Sequence, residues 1–287
     1  MADETRHVVA GTLGTVMRNI CLTLAYDGTN YAGWQVQPDA PTVQQQLETA
    51  IHALSGQQVR VLSAGRTDAG VHAFGQVASF RIDSTIPPEK WQPALQSKLP
   101  HDIVVRDSRE VDMEFHATYS AQSKRYRYVI MNRQLDDPFL RRYCWKIDHP
   151  LDAAAMYQAA QALPGKHDFR CFESHWPNKA TSVRTILDVS VQRLAGWPAW
   201  SPEPIAVNAP SPNGPFIVLE IEADGFLYNM VRAITGTLVE IGRGKWPVDA
   251  MRDIVKAGER GRAGPTAPPQ GLALVCVNYG DAFAADL

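Results

Sequence analysis

Residues 58–82 read QVRVLSAGRTDAGVHAFGQVASFRI. Two β-favouring apolar runs, 58–63 and 75–82, flank a Gly-containing segment, 64–74. Two strands joined by a turn are expected here. Small residues in the segment bracket one arginine, one aspartate and one histidine: Arg66, Asp68 and His72. The glycines on either side let the backbone turn tightly and come close to a ligand. Two readings stay open from these residues alone. In one, Asp68 bonds its own backbone in a common Asp-Ala-Gly turn and pairs with Arg66. In the other, the turn presents Asp68 as a reactive carboxylate.

Working outward, residues 20–26 (ICLTLAY) read as a strand that ends at the turn dipeptide Asp27-Gly28. Thr42-Val43-Gln44-Gln45 matches a capping box, and Val43, Leu47, Ala50, Ile51 and Leu54 follow at helical spacing. Beyond the central segment, Pro87-Pro88 starts a helix over 89–99, and 102–111 is a strand. The second half alternates in the same way. Strands are expected at 124–131, 142–147, 182–194, 216–222 and 272–279. Helices are expected at 151–163 with Asp152 as N-cap, at 226–241, and from Pro247 to 257. Residues 195–215 hold six prolines and read as a long exposed loop. Strands in adjacent pairs between single helices indicate an α+β fold with antiparallel or mixed sheets backed by helices. Two similar passes suggest two related lobes. The expected division is a tail over 1–19, an N-terminal lobe over 20–116 and a C-terminal lobe over 117–287.

The chain has 287 residues, 45% of them apolar and 20% charged, which rules out disorder of the whole chain. No apolar run approaches the length of a membrane span. The first residues carry acids where a secretion signal needs bases. Cys21, Cys144, Cys171 and Cys276 lie far apart without a C-x-x-C pair, so a reduced, cytoplasmic protein is expected. His167, Cys171 and His175 fall four residues apart, but the intervening Asp-Phe-Arg favours a loop or strand start over a metal-binding helix. No metal site is expected.

A formal charge of −2 argues against a broadly basic nucleic-acid coat. It averages over two basic islands, however. Residues 117–146 hold seven bases and two acids, and residues 231–262 hold seven bases and four acids. The first interleaves bases with rings: Lys124, Arg125, Tyr126, Arg127, Tyr128, then Arg141, Arg142, Tyr143. Bases for phosphates beside rings for nucleobases suit RNA binding. A solvated edge strand, which lysine and arginine commonly protect, is the alternative.

SAGRTDAGVHAF at 63–74 resembles the signature of the tRNA pseudouridine synthase A family. Four further stretches are similar to that family in order and spacing: LAYDGTNYAGWQVQ (24–37), FHATYSAQSKRYRY (115–128), GKHDFRCF (165–172) and GFLYNMVRAITG (225–236). The resemblance runs from about residue 20 to 279. It implies a two-lobed pseudouridine synthase fold with a central cleft. The implied activity is isomerisation of uridine to pseudouridine in the anticodon stem-loop of tRNA, at positions 38, 39 or 40. A cytoplasmic homodimer is implied, with tRNA as partner, no membrane and no cofactor. By the same resemblance Asp68 is the catalytic aspartate and Tyr126 packs on the target base. Arg66 assists in flipping that base out, and Arg232 pairs with the carboxylate.

The reaction makes sense of these residue types. It breaks and remakes a bond at one sugar carbon and transfers no electrons, so no redox cofactor is needed. A carboxylate serves as nucleophile or as proton acceptor. Two rival classes stay in view. A non-catalytic RNA-binding protein has no need of the Arg66, Asp68, Tyr126 and Arg232 set. A glycoside hydrolase wants a second carboxylate, and none flanks Asp68 within its motif. The chain also departs from the family: Thr118 stands where arginine is usual and Gln96 where asparagine is common. Both departures bear on RNA positioning.

Overall fold

The computed structural model describes residues 16–174, 181–197, 211 and 213–280. The first strand, β1 (Val16–Tyr26), pairs antiparallel along its length with β3 (His72–Ser84) and, from Asn19 on, with β4 (Ile103–Val111). It begins at Val16, inside the stretch read as a tail over 1–19. The β1–β3 register runs on from Ile20↔Phe80 to Val16↔Ser84, which a reading from the apolar run alone stops short of.

Helix α1 (Val43–Ser55) starts where its cap predicts: the Gln45 N–H donates to Thr42 Oγ1 at 3.3 Å. The strand expected over 58–63 shrinks to β2 (Leu62–Ser63). The reason lies on α1. Gln44 Nε2 donates to the Val61 carbonyl at 3.1 Å, and the Val61 N–H donates to Glu48 Oε1 at 3.0 Å. Side chains of the helix occupy backbone groups that a longer strand would need for a ladder. Residues 88–90 form a 3-10 turn, and α2 (Trp91–Gln96) is shorter than the helix expected over 89–99.

The second half contributes β5 (Ser123–Asn132), β6 (Trp145–Ile147), α3 (Ala153–Ala160), β7 (Gly165–Asp168), β8 (Val183–Leu194), β9 (Phe216–Ala223), α4 (Met230–Gly242), α5 (Ala250–Ala257) and β10 (Leu272–Asn278). Asp152 caps α3 through the Ala155 N–H at 2.9 Å. Most of the proline-rich stretch, 198–210 with Pro212, lies outside the described residues, as does His175.

The ten strands among the described residues form one mixed sheet in the order β4-β1-β3-β10-β5-β9-β8-β7, with β2 on β3 and β6 on β5. This is the α+β architecture expected. The last strand joins the two halves: β10 runs parallel to β3 and antiparallel to β5. The α1, α2, α3 and α4 side chains share one continuous core with one face of the sheet, including Leu47, Trp91, Met156 and Ile234. That core fixes a junction at the middle of the sheet, where Leu274 stands opposite Ala73 on one side and Tyr126 on the other.

Candidate active site

The turn that carries Asp68 leads directly into β3 at this junction. Its backbone is tied down along its length. The Trp34 N–H donates to the Thr67 carbonyl at 3.0 Å, and the Val71 N–H donates to the Asp68 carbonyl at 3.1 Å. Tyr26 Oη and Thr67 Oγ1 share a hydrogen bond of 2.8 Å, and Gln76 Nε2 donates to the Gly65 carbonyl at 2.7 Å. Burial pushes the Tyr26 hydroxyl up to about 12, so it stays protonated. At Gly33, φ is +96°, and a Cβ there would stand 2.6 Å from the Thr67 carbonyl oxygen. Only glycine lets the 31–34 segment lie this close.

His72 locks the neighbouring segments together. It is 2% exposed. Its Nδ1 accepts from the Gly28 N–H at 3.1 Å, and its Nε2 lies 2.9 Å from the Arg142 carbonyl oxygen. Burial raises the Asp27 carboxyl, but the His72 ring beside it and hydrogen bonds from Thr29 and Tyr143 outweigh that and hold the group well below the usual carboxylate range.

Arg232 arrives from the far end of the sequence, in the first turn of α4. The helix expected over 226–241 begins only at Met230, because Asn229 adopts φ +62° and breaks the helical path. It is the one non-glycine residue with positive φ among those described. Asn229 Oδ1 accepts from Arg232 Nη1 at 2.6 Å, and Asn229 Nδ2 donates to Ser174 Oγ at 2.9 Å. Arg232 Nε donates to the Ala267 carbonyl at 2.7 Å. This contact depends on Gly236, where a Cβ would collide with the Pro265 carbonyl oxygen. Held at two points, the guanidinium presents Nη1 to Asp68 Oδ2 at 3.2 Å.

The two side chains of this pair are 15% and 22% exposed, so the ion pair is part-buried. Burial pushes the Asp68 carboxyl above its ordinary range, and the charge and hydrogen bond of Arg232 pull it back. The upward push is the larger. The carboxylate is therefore more basic than a solvated one.

Tyr126 projects from β5 and is 7% exposed. Its ring meets Phe226 edge to face, with centroids 5.0 Å apart and planes at 79°. Burial is the main cause that drives its hydroxyl far above the ordinary tyrosine range, with Asp68 adding to it. Arg66 is exposed beside Asp68.

Arg66, Asp68, Tyr126 and Arg232 all line a single cleft of about 1240 Å³. The four residues singled out from the sequence, up to 166 positions apart in the chain, thus come together. Two further carboxylates line the cleft, each already engaged. Glu173 accepts from the Ser182 hydroxyl at 2.6 Å, and Asp224 accepts from the Thr185 N–H at 2.9 Å.

The basic islands divide differently from the sequence reading. Strand β5 lies between β10 and β9, so it is not an edge. Yet Arg125 and Arg127 do not face the cleft either. Arg125 pairs with Glu222 at 2.6 Å and Asp188 at 2.9 Å, and the buried Arg127 pairs with Glu220 at 2.7 Å. Pleating sends them to the opposite face from Tyr126 and Tyr128. In the second island, Arg243 and Lys245 pair with Glu240, and Arg262 with Glu259. The cleft's cations are Arg60, Arg66, Lys124, Arg184 and Arg232. Sequence reasoning missed Asn229, whose signal was a turn-favouring residue just before the apolar helix run.

A family model described as tRNA pseudouridine synthase matches residues 23–120 and 159–280. The chain is 46% identical over 263 residues to "tRNA pseudouridine synthase A" of Thermoanaerobacter sp. (strain X514), covering 92% of this chain and 100% of that relative. It is 47% identical over 263 residues to the protein of that name from Acetivibrio thermocellus, with the same coverage. The relative of that name from Moorella thermoacetica is 47% identical over 260 residues, 90% of this chain and 98% of its own length. The chain belongs to the tRNA pseudouridine synthase family, a family of isomerases. No helix among the described residues is long and apolar enough to cross a membrane.

Proposed function

We propose that the chain converts uridine to pseudouridine in the anticodon stem-loop of tRNA, at position 38, 39 or 40, with Asp68 as the catalytic carboxylate. The observation that carries this reading is the part-buried Asp68–Arg232 pair, set in one cleft with the Tyr126 ring. In the reaction the bond from uracil N1 to the ribose C1′ breaks and the base turns. A new bond joins C5 to C1′, the C5 proton is lost and N1 gains one, so the mass is unchanged. An ionised Asp68 serves either open route: attack on the sugar or base as nucleophile, or removal of a ribose proton. Partial desolvation makes the carboxylate more basic, and Arg232 keeps its charge tolerable.

A base within a helical arm must leave its stack, at a cost of a few kcal/mol. Tyr126 offers a replacement stacking surface whose plane Phe226 fixes. Arg66, exposed beside Asp68, is placed to assist the extrusion and to meet the backbone phosphates. The family resemblance extends the reading to a homodimer in the cytoplasm. Carbodiimide labelling of tRNA before and after treatment with the protein tests the activity. Labelled pseudouridine at 38–40 is expected, and no labelled site sinks the reading.

A further inference from the structure

One large aromatic side chain of the cleft stands mostly in solvent. Tyr119 is 84% exposed, yet it sits on a loop built with unusual care. The Ser120 N–H donates to the His116 carbonyl at 2.9 Å, and the His116 N–H donates to Ser120 Oγ at 3.1 Å. His116 Nδ1 accepts from the backbone N–H groups of Thr118 and Tyr119, at 3.1 and 3.3 Å. The loop is anchored outward as well. The Tyr279 hydroxyl donates to the Ala117 carbonyl at 2.7 Å, and the Thr118 hydroxyl donates to the Ser63 carbonyl at 2.6 Å. Ser63 ends β2, immediately before the Asp68 turn. Thr118 thus ties the loop to the strand that leads into the site.

The Tyr119 ring rests against the His116 ring, with centroids 4.3 Å apart and planes at 36°. His116 supports the ring, and Tyr119 lines the same cleft as Arg66 and Lys124. A fixed ring loses little side-chain entropy when something stacks on it. Cations nearby attract a phosphate backbone. A flat, polarisable ring beside a phosphate track is the environment that an unpaired nucleobase fits.

We propose that residues 116–120 form a second nucleobase subsite, in which Tyr119 stacks on an unpaired base of the bound RNA other than the target uridine. The proposal rests on the reading of the chain as an RNA-modifying enzyme. Stacking uses the π-face that every base has, so the subsite accepts any of the four bases. It acts on RNA affinity and register rather than on the bond-breaking step.

The test uses the full chain and a tRNA transcript, with RNA affinity and pseudouridine formation measured separately. Tyr119→Ala is expected to weaken RNA binding by about 5- to 100-fold, with the larger change in KM and the smaller in kcat. Tyr119→Trp is expected to retain affinity, and Tyr119→Leu to behave like Tyr119→Ala. Abasic substitution along the anticodon loop should find one position that weakens the wild-type protein but not Tyr119→Ala. Wild-type affinity in Tyr119→Ala overturns the proposal. So does full rescue by leucine, or a changed sedimentation coefficient in Tyr119→Ala, since either marks a protein contact instead. If the wild-type protein forms no pseudouridine but the affinity pattern holds, the enzymatic reading fails and the subsite stands.

Discussion

Replacing Gly33 by alanine is expected to disturb the Asp68 turn from outside it. Two costs add. A left-handed φ, here +96°, costs an L-residue about 1–2 kcal/mol. The new Cβ would also stand 2.6 Å from the Thr67 carbonyl oxygen and 3.1 Å from both the Ala69 nitrogen and the Asp68 carbonyl carbon. Relief moves the turn away and loses the 3.0 Å bond from the Trp34 N–H to the Thr67 carbonyl, worth about 1 kcal/mol. The stability loss is therefore about 2–3 kcal/mol. A displacement of order 1 Å at a reacting group costs about 100-fold in rate. Gly56 is the matched control. It ends α1 at φ +73°, with nothing within 4 Å of a Cβ, so Gly56→Ala carries the conformational cost alone. Urea denaturation midpoints and single-turnover pseudouridine formation read the two effects. Gly33→Ala should lose both stability and rate, and Gly56→Ala stability only. Equal stability losses with wild-type rates in both variants would refute the argument that the 31–34 segment holds Asp68 in place.

Substitutions at three further positions probe the site. Arg232→Met removes the charge that opposes burial at Asp68, leaving neutral Tyr126 and exposed Arg66 as its neighbours; the carboxyl should rise further, so the acidic limb of the pH–rate profile moves to higher pH, and an unmoved limb contradicts the pairing. Asn229→Gly keeps the left-handed backbone and deletes the bond to Arg232. A bond to a charged group contributes about 1.5–3 kcal/mol to stability, so the urea midpoint should fall, and kcat should fall with it as the guanidinium loses one of its two anchors; an unchanged kcat contradicts the positioning role. Tyr126→Phe keeps the ring on Phe226 and should retain most activity, whereas Tyr126→Ala should lose it; equal losses would argue against a stacking role.

Local chemistry was legible in the sequence and long-range chemistry was not. Thr42 and Asp152 announce their helices because a cap bonds three residues along the chain. Asp68, Tyr126 and Arg232 stand out because a motif and a lone charge on an apolar helix are local features. The fate of Arg125 and Arg127 was hidden, since their partners lie on strands 63 or more residues away. A count of bases along the chain credits them to RNA, whereas the pleat turns them to the other face. Residues 58–61 look like a strand by composition, but Gln44 and Glu48 on α1 take Val61's backbone groups first. The late start of α4 follows from the backbone of Asn229, which periodicity does not register.

The central claim is that Asp68 carries the chemistry and the rest of the cleft holds the RNA. Asp68→Asn keeps the side chain's shape and removes its charge and basicity. Measured on tRNA with binding and carbodiimide-detected pseudouridine followed in parallel, the account predicts retained tRNA binding and no pseudouridine. Pseudouridine formed by Asp68→Asn at the wild-type rate would contradict it.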